Sequence, residues 1–145
     1  MTDTLSIKVK AMCIFERDGK LLASKHHDTV KDEVFYRCLG GHVEFGETAE
    51  VAMRREAIEE LGSEIENLEY LDMIENIFVY NGKPMHEIVF LFKGDLVRKE
   101  LYAKEEIRFN EGDKEIEVFW VDKSSVLSEN IRFYPLFEWK KFLSV

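Results

Sequence analysis

Apolar and β-branched segments separated by turn residues dominate the first third of the chain. Residues 7–15 (IKVKAMCIF) precede the pair Asp18-Gly19 and the apolar run 21–23, which predicts a β-hairpin with an Asp-Gly turn. The polar residues 25–33 have no helical period and predict a surface loop, which leads into a short strand at 34–39. That strand would run directly into two glycines.

The hydrophobic period changes to that of a helix over residues 48–62. Thr48 is suited to cap the helix N-terminus, and Gly62 stands where a left-handed C-cap residue is preferred. The apolar residues on one side of this helix form a predicted core-facing stripe, which consists of Val51, Ile58 and Leu61. Arg54 falls within that stripe, and the sequence offers no reason for its place.

The second half of the chain contains further strand patterns. Strands are predicted at 66–80, 85–95 and 115–121. Asn81-Gly82 predicts the hairpin turn between the first two of them. A short helical turn is expected near 123–128, and PLFEWKKFL (135–143) has the spacing of a closing helix. These elements predict an α/β fold in which a mixed β-sheet is sandwiched between α-helices.

Composition limits what this fold does. A chain of 145 residues with 46% hydrophobic and 34% charged residues predicts one globular domain that spans 1–145. The net charge of −9 argues against long nucleic acid as a partner, since that binding depends on basic residues. An acidic protein that handles an anionic small molecule needs a divalent cation to neutralise phosphate oxygens.

The start of the chain carries no leader pattern, and no run of 18 apolar residues occurs, so we expect a cytoplasmic protein that does not cross a membrane. Cys13 and Cys38 lie in apolar segments without metal-binding spacing, which predicts two buried thiols.

Three carboxylates share one face of the predicted helix. At about 100° per residue, Glu59 and Glu60 fall within about 60° on either side of Glu56. Like charges at this spacing repel, and bound Mg²⁺ or Mn²⁺ would compensate them. An ordinary solvated helix face is the alternative.

The segment before the helix favours the metal. Gly40 and Gly41 allow the backbone to approach a ligand closely, and exposed N–H groups near a helix N-terminus favour anionic groups. Both glycines are therefore predicted to contact substrate.

These residues resemble the Nudix (MutT-like) hydrolase box, a glycine and acid pattern on a loop and helix. The matching positions are Gly41, Glu47, Arg55, Glu56, Glu59, Glu60 and Gly62, all at the family's spacing. Ala57 and Ser63 stand where the family usually has larger aliphatic residues, and Leu39 stands where proline is common.

The resemblance implies a Mg²⁺-dependent (or Mn²⁺-dependent) pyrophosphatase that hydrolyses a nucleoside diphosphate linked to another group X. Residues implied as metal ligands are Gly41, Glu47, Glu56, Glu59 and Glu60, with the Gly40 carbonyl as another contributor and support as the alternative role for Glu47. Residues implied as catalytic are Arg55, Glu56, Glu59 and Glu60, with Arg55 orienting the neighbouring glutamates.

Two groups of acids are candidates for the general base, those in the box and those later in the chain. Glu59 and Glu60 are candidates in the box, and the later candidates are Glu105, Glu106, Glu115 and Glu117. Glu115 precedes the Trp120 strand and is predicted to join the metal site, with a solvated strand edge as the alternative.

The resemblance implies a nucleotide-type substrate: a nucleoside triphosphate, a dinucleoside polyphosphate or a sugar nucleotide. Tyr80 is a candidate for stacking on a base, and an aromatic residue at a strand end is its alternative reading. A Nudix-fold module that senses a nucleotide without hydrolysing it is the rival function, although such modules commonly lose box glutamates. A homodimer is common among relatives.

Overall fold

The computed structural model describes residues 5–135, 137 and 139–143. The strands are β1 (Ile7–Ile14), β2 (Glu16–Arg17), β3 (Lys20–Asp28), β4 (Glu33–His42), β5 (Ile65–Tyr80), β6 (Lys83–Leu96), β7 (Glu106–Glu111), β8 (Lys114–Asp122) and β9 (Phe133–Tyr134). The helices are α1 (Ala49–Leu61) and α2 (Lys123–Leu127), and 3₁₀ turns form at Lys99–Ala103 and Trp139–Lys141.

The strands form a mixed sheet in the order β5-β6-β1-β4-β3-β8-β7, with β2 beside β3 and β9 beside β4. β1 runs parallel to β6, and β4 runs parallel to β9, whereas the remaining pairs are antiparallel. One core cluster lies under α1, and a second contains residues from α2 and the final 3₁₀ turn. The predicted α/β fold, a mixed sheet between helices, is therefore confirmed.

The predicted N-terminal hairpin is much shorter than expected. The turn at Asp18-Gly19 forms, and both residues have positive φ (45° and 78°). However, the hairpin itself contains only the two residue pairs between β2 and β3. One further hydrogen bond joins the Leu22 N–H to the Phe15 carbonyl at 3.0 Å. β1 instead lies between β4 and β6, where Ala11 and Cys13 pack into one core cluster and Met12 and Ile14 pack into the other.

The predicted loop at 25–33 is largely strand. β3 continues to Asp28 and pairs with β4, with His26 opposite Phe35. Only residues 29–32 form the connection, and the Asp28 carboxylate accepts the Val30 and Lys31 N–H groups there, each at 3.0 Å. Polar residues hid the strand because the pairing of the backbone does not require apolar side chains.

The caps of α1 are confirmed, but only part of its predicted core-facing stripe is. Thr48 Oγ1 accepts the Val51 N–H at 3.2 Å, and Gly62 adopts a left-handed φ of 64°. Leu61 is buried as predicted, whereas Val51 and Ile58 are 51% and 53% exposed. The other residues that α1 buries are Ala52, Met53, Ala57 and Glu60.

This rotation of α1 places small side chains against the sheet, so that the helix and strands approach closely. It also explains Arg54, whose Nη1 donates to the Ile65 carbonyl at 2.8 Å and whose Nε lies 3.3 Å from Glu50 Oε2.

In the second half of the chain, β5, β6 and β8 confirm the three predicted strands, and Asn81-Gly82 forms the expected turn with φ of 51° and 77°. α2 confirms the helical turn near 123–128. β7 was not predicted, because its sequence EIRFNE is mostly polar.

The predicted closing helix at 135–143 is wrong for the residues that the structure describes. Only a 3₁₀ turn forms there, at Trp139–Lys141, and residues 136 and 138 lie outside the described part of the chain. Trp139 is buried against Phe133, with ring centroids 5.0 Å apart, so the segment still covers the second core cluster.

Gly40→Ala should destabilise the protein by about 3 kcal/mol, because the overlap with β1 adds to the backbone strain. A Cβ at this position would lie 2.0 Å from the Ala11 carbonyl oxygen, and φ is +149°. Gly112→Ala is the matched control, since its φ is +62° but nothing lies within 4 Å of its Cβ. Urea denaturation of both variants measures the difference, and equal losses would contradict the proposed overlap.

Candidate active site

The acidic side of α1 rests directly on the end of β4. A Cβ on Gly41 would lie 2.5 Å from the Cδ of Glu56, so that carboxyl group occupies the space that any side chain would need. Gly40 is pressed equally closely onto β1. Beside this contact lies a cleft of about 340 Å³, here called the carboxylate cleft, which is lined by Gly40, Gly41, Glu56, Glu59, Glu60 and further residues of β1, β3, β4, β7 and β8.

Glu60 is the most deeply placed of the three helix glutamates, with 8% of its surface exposed. The Gly40 backbone N–H donates to its carboxylate. Its Oε1 is buried and has no hydrogen-bond partner among the described residues. Burial, followed by the charges of Glu56 and Glu111, raises the Glu60 pKa to about 9. This oxygen therefore needs either a proton or a cation.

Arg55 holds the surrounding acids in place. It donates to Glu47 Oε2 at 2.8 Å, to Glu56 Oε1 at 2.9 Å and to Glu59 Oε2 at 3.2 Å. A further bond reaches the His42 carbonyl at 2.9 Å, which ties α1 to β4. The Arg55 guanidinium therefore hydrogen-bonds three acids of the box and one backbone carbonyl.

Glu47 is fully engaged in this network. Its Oε1 accepts from the Glu44 N–H at 2.9 Å and from Arg55 Nη2 at 3.0 Å. The bond to Arg55, followed by that from the Glu44 N–H, lowers the Glu47 pKa to about 2. This geometry favours support over metal ligation for Glu47, the alternative that the sequence left open.

Tyr80 and Glu115, two of the predicted site residues, both lie away from the carboxylate cleft. Tyr80 ends β5, packs edge-on against Phe35 at 5.7 Å and donates its hydroxyl to the His27 carbonyl at 3.5 Å, and it lines a neighbouring cavity. Glu115 forms an ion pair with Arg108 at 3.1 Å. The structure does not bring Glu115 to the metal site that the sequence predicted for it. Strand alternation directs its side chain away from the face of β8 that carries Ile116 and packs under α1.

Glu111 occupies the position that was expected of Glu115. It ends β7, lines the carboxylate cleft, and its charge contributes to the raised pKa values of Glu56 and Glu60. Strand alternation would have placed it on the face of Phe109, but only if β7 had been recognised.

A buried group of charges next to the cleft was also missed by the sequence analysis. Glu87 is 1% exposed and binds Arg37 Nη2, Lys10 Nζ at 3.3 Å and Asn76 Nδ2 at 3.1 Å. Arg37 and Lys10 both line the carboxylate cleft. One signal in the sequence could have indicated this group: Glu87 is the single acid in the apolar run HEIVFLF of β6. A buried charge requires a partner, so a cation would have been expected beside it.

His26 also lines the carboxylate cleft. It stacks on Phe35 with ring centroids 5.3 Å apart and bonds Ser24 Oγ at 2.8 Å. Burial, reinforced by the charge of Arg37, lowers its pKa to about 4, so it is neutral at physiological pH. It offers the cleft a neutral hydrogen-bonding group.

The chemistry of this donor set fits a hard divalent cation, because such ions prefer carboxylate and carbonyl oxygens. Among the described residues, the buried Glu60 Oε1 without a hydrogen-bond partner is the atom most clearly available as a ligand. Among the described residues no three acidic, histidine or thiol groups already converge as a closed ligand set. Glu56 and Glu59 are turned toward Arg55, so they would have to turn toward an ion in order to share it.

Comparison with known proteins agrees with this geometry. The family model described as NUDIX domain matches residues 6–139. A MutT NUDIX hydrolase from Burkholderia pseudomallei is similar in structure, with a TM-score of 0.61 and 22% identity over 94% of each chain. A NUDIX hydrolase from Nitrosomonas europaea has a TM-score of 0.61 and 17% identity over 88% of this chain and 80% of that one. An ADP compounds hydrolase has a TM-score of 0.56 and 15% identity over 86% of this chain and 63% of that one.

The fold, the box geometry and the family match define the class as a hydrolase of pyrophosphate bonds. The chain belongs to the NUDIX family. Members of this family generally use divalent metal ions and act on small nucleotide-type substrates. In the part of the chain that the structure describes, no helix is long and apolar enough to cross a membrane.

Glu60 should make the stability of the metal-free protein depend on pH. Its carboxyl has a pKa of 4.5 when unfolded and about 9 when folded, so the folded state binds the proton more tightly. The free energy of unfolding should therefore fall as the pH rises between these values. Glu60→Gln should remove this fall and be more stable than the wild type near about pH 8 with chelator present.

Thermal or urea unfolding at several pH values measures this effect. Glu59→Gln is the matched control, because Glu59 is 57% exposed and lies one residue away on the same helix. Parallel pH profiles for the wild type and Glu60→Gln would show that Glu60 is not held in its protonated form.

Proposed function

We propose that this protein is a Mg²⁺-dependent, or Mn²⁺-dependent, hydrolase of the pyrophosphate bond in a nucleoside diphosphate linked to a second group X. The observation that carries this proposal is the buried Oε1 of Glu60, which has no hydrogen-bond partner among the described residues. Glu60 lines the cleft together with Glu56, Gly40 and Gly41. An acid in that environment favours binding of a cation over a solvated, purely structural role.

Gly41, Glu56, Glu59 and Glu60 would hold the ion, with the carbonyl of Gly40 as a further oxygen donor. When bound, the ion supplies charge neutralisation for the diphosphate and lowers the pKa of an attacking water. Arg55 keeps Glu56 and Glu59 at the mouth of the cleft, and Glu47 fixes Arg55 from the other side. The protein thus supplies orientation, which is the main requirement of phosphoryl chemistry.

We assign the general base to Glu111, in place of the later acids suggested by the sequence. Glu111 lines the carboxylate cleft. Glu106, Glu115 and Glu117 all pair with Arg108, at 2.5, 3.1 and 3.9 Å. Among the acids of the β7–β8 hairpin, Glu111 is thus the one positioned to accept a proton within the cleft.

Nucleoside triphosphates, dinucleoside polyphosphates and sugar nucleotides are the proposed substrate range. The cations Lys10 and Arg37 support an anionic ligand, since they line the same cleft as the carboxylates in a protein of net charge −9. A sensing module that binds a nucleotide without hydrolysing it is the rival function, and the complete box argues against it.

Glu59→Gln and Glu60→Gln should each lower Mg²⁺-dependent turnover by about 10²-fold or more, because each change removes a charged oxygen from the proposed ion site. The measurement is phosphate or nucleotide release from a panel of nucleoside triphosphates, dinucleoside polyphosphates, sugar nucleotides and ADP-ribose. Glu50→Gln is the control, since Glu50 lies on α1 but pairs with Arg54 outside the cleft. A wild type that binds nucleotides but turns none over would support the sensing module.

Glu111→Gln should lower kcat by about 10²-fold, with KM changed much less, because a base acts on the attacking water rather than on substrate binding. Glu115→Gln is the matched control on the same hairpin and should leave kcat within about twofold of the wild type. The pH profile of kcat provides the second readout, since the loss of a base removes the acidic limb. Equal kcat values for the two variants would return the assignment to Glu59 or Glu60.

A further inference from the structure

One acid of β6 has no role in the proposed chemistry, although it contacts two cations of the carboxylate cleft. Glu87 is 1% exposed and does not itself line the cleft. Its Oε1 accepts hydrogen bonds from Arg37 Nη2 and from Asn76 Nδ2, the second at 3.1 Å. Its Oε2 lies 3.3 Å from Lys10 Nζ. Replacing such a buried ion group by apolar residues is often neutral or stabilising, so packing alone does not account for it.

The two cations come from different strands but reach the same cleft. Arg37 lies on β4 and Lys10 lies on β1, and both line the carboxylate cleft while they contact Glu87. Their side chains are largely covered, with 12% and 17% exposed. Burial, followed by the charge of Arg37, lowers the Lys10 pKa, and Glu87 acts in the opposite direction. Glu87 therefore stabilises two like charges that would otherwise repel one another beside the cleft.

Arg37 keeps a donor that the protein does not use. Its Nε is buried and has no hydrogen-bond partner among the described residues. Its Nη2 is bound to Glu87, and the centre of its guanidinium lies 5.8 Å from that of the Phe78 ring. These contacts restrict the orientation of the planar guanidinium, so its remaining N–H groups are held in place before a ligand arrives. Phosphate oxygens are strong acceptors for such groups.

We infer that Glu87 is a positioning residue, which holds Arg37 and Lys10 together at the cleft so that both bind phosphate oxygens of the substrate. This inference rests on the proposed function, since it assigns a residue to the binding step of the same reaction. Glu87 touches neither the substrate nor the ion in this assignment, and it acts only through the two cations.

Positioning and simple electrostatics make opposite predictions for the loss of the Glu87 charge. Glu87→Gln preserves the size of the side chain, but two cations and one acid (+1) become two cations and a neutral amide (+2). If only the total charge mattered, the variant would bind an anion more tightly. If Glu87 positions the cations, they move apart in the variant and the anion binds more weakly.

The test is equilibrium binding of inorganic pyrophosphate to the whole chain with chelator present, so that hydrolysis and metal play no part. Glu87→Gln should weaken this binding about fivefold or more. Asp95→Asn is the matched control, because Asp95 lies on the same strand but bonds Asn67 away from the cleft. Unchanged or tighter binding by Glu87→Gln, or no measurable binding by the wild type, overturns the inference.

A pair of variants guards against loss of the fold, because Glu87→Gln leaves a buried cation uncompensated. Lys10→Met keeps the Arg37–Glu87 pair, and adding Glu87→Gln to it restores the wild-type charge of +1. The double variant should bind pyrophosphate about threefold or more weaker than Lys10→Met, although its charge is more positive. Equal or tighter binding would mean that Glu87 only balances charge.

Side-chain NMR of the wild type requires no variant. Adding pyrophosphate should shift the Arg37 Nε–H signal, and an unchanged signal at saturation overturns the inference.

Steady-state kinetics separate this inference from the proposed function. With Mg²⁺ and a nucleotide that is turned over, Glu87→Gln should raise KM about fivefold or more and leave kcat within about twofold, because the lost contacts bind substrate. A KM equal to that of the wild type contradicts the positioning role while turnover persists. Failure of the proposed function appears instead as absent turnover, with pyrophosphate binding and its dependence on Glu87 intact.

Discussion

The backbone of Gly40 and Gly41 lies in direct contact with β1 on one side and with the Glu56 carboxyl on the other. This contact determines how close α1 comes to the sheet. It buries Glu60, orients Arg55 toward the His42 carbonyl and gives the carboxylate cleft its narrow base. A side chain at Gly41 would overlap the Glu56 carboxyl and push α1 away from the sheet, whereas a side chain at Gly40 would overlap the backbone of β1.

Two groups of opposite charge, here called the acidic wall and the basic wall, line the carboxylate cleft. Glu56, Glu60 and Glu111 form the acidic wall, and Lys10 with Arg37 forms the basic wall. Each wall is electrostatically incomplete by itself, because the acids repel and the cations outnumber their buried partner Glu87. Under the proposed function, a divalent ion would complement the first wall and a phosphate would complement the second, so a metal–diphosphate pair would satisfy both at once.

Local patterns were sufficient to predict α1, its caps, the glycine pair and the β5–β6 turn, since each depends on neighbours within a few residues. The rotation of α1 was not predictable, because Val51 and Ile58 resemble core residues until the sheet is in place. The Arg37–Glu87 pair joins residues 50 positions apart, and Glu111 reaches the cleft only through a hairpin that its polar sequence concealed. Such long-range contacts leave no periodic signal in one sequence.

The two buried alanines of α1 have a consequence of their own. Ala52 and Ala57 lie at the interface with the sheet and are almost fully buried. The methyl group of Ala57 limits how closely the helix packs on the sheet, together with the contact between Glu56 and Gly41. Because Glu56 precedes Ala57 directly, a bulkier side chain at position 57 would move the carboxylates away from Gly41. The placement of these acidic groups therefore depends on an apolar contact as well as on the charged residues themselves.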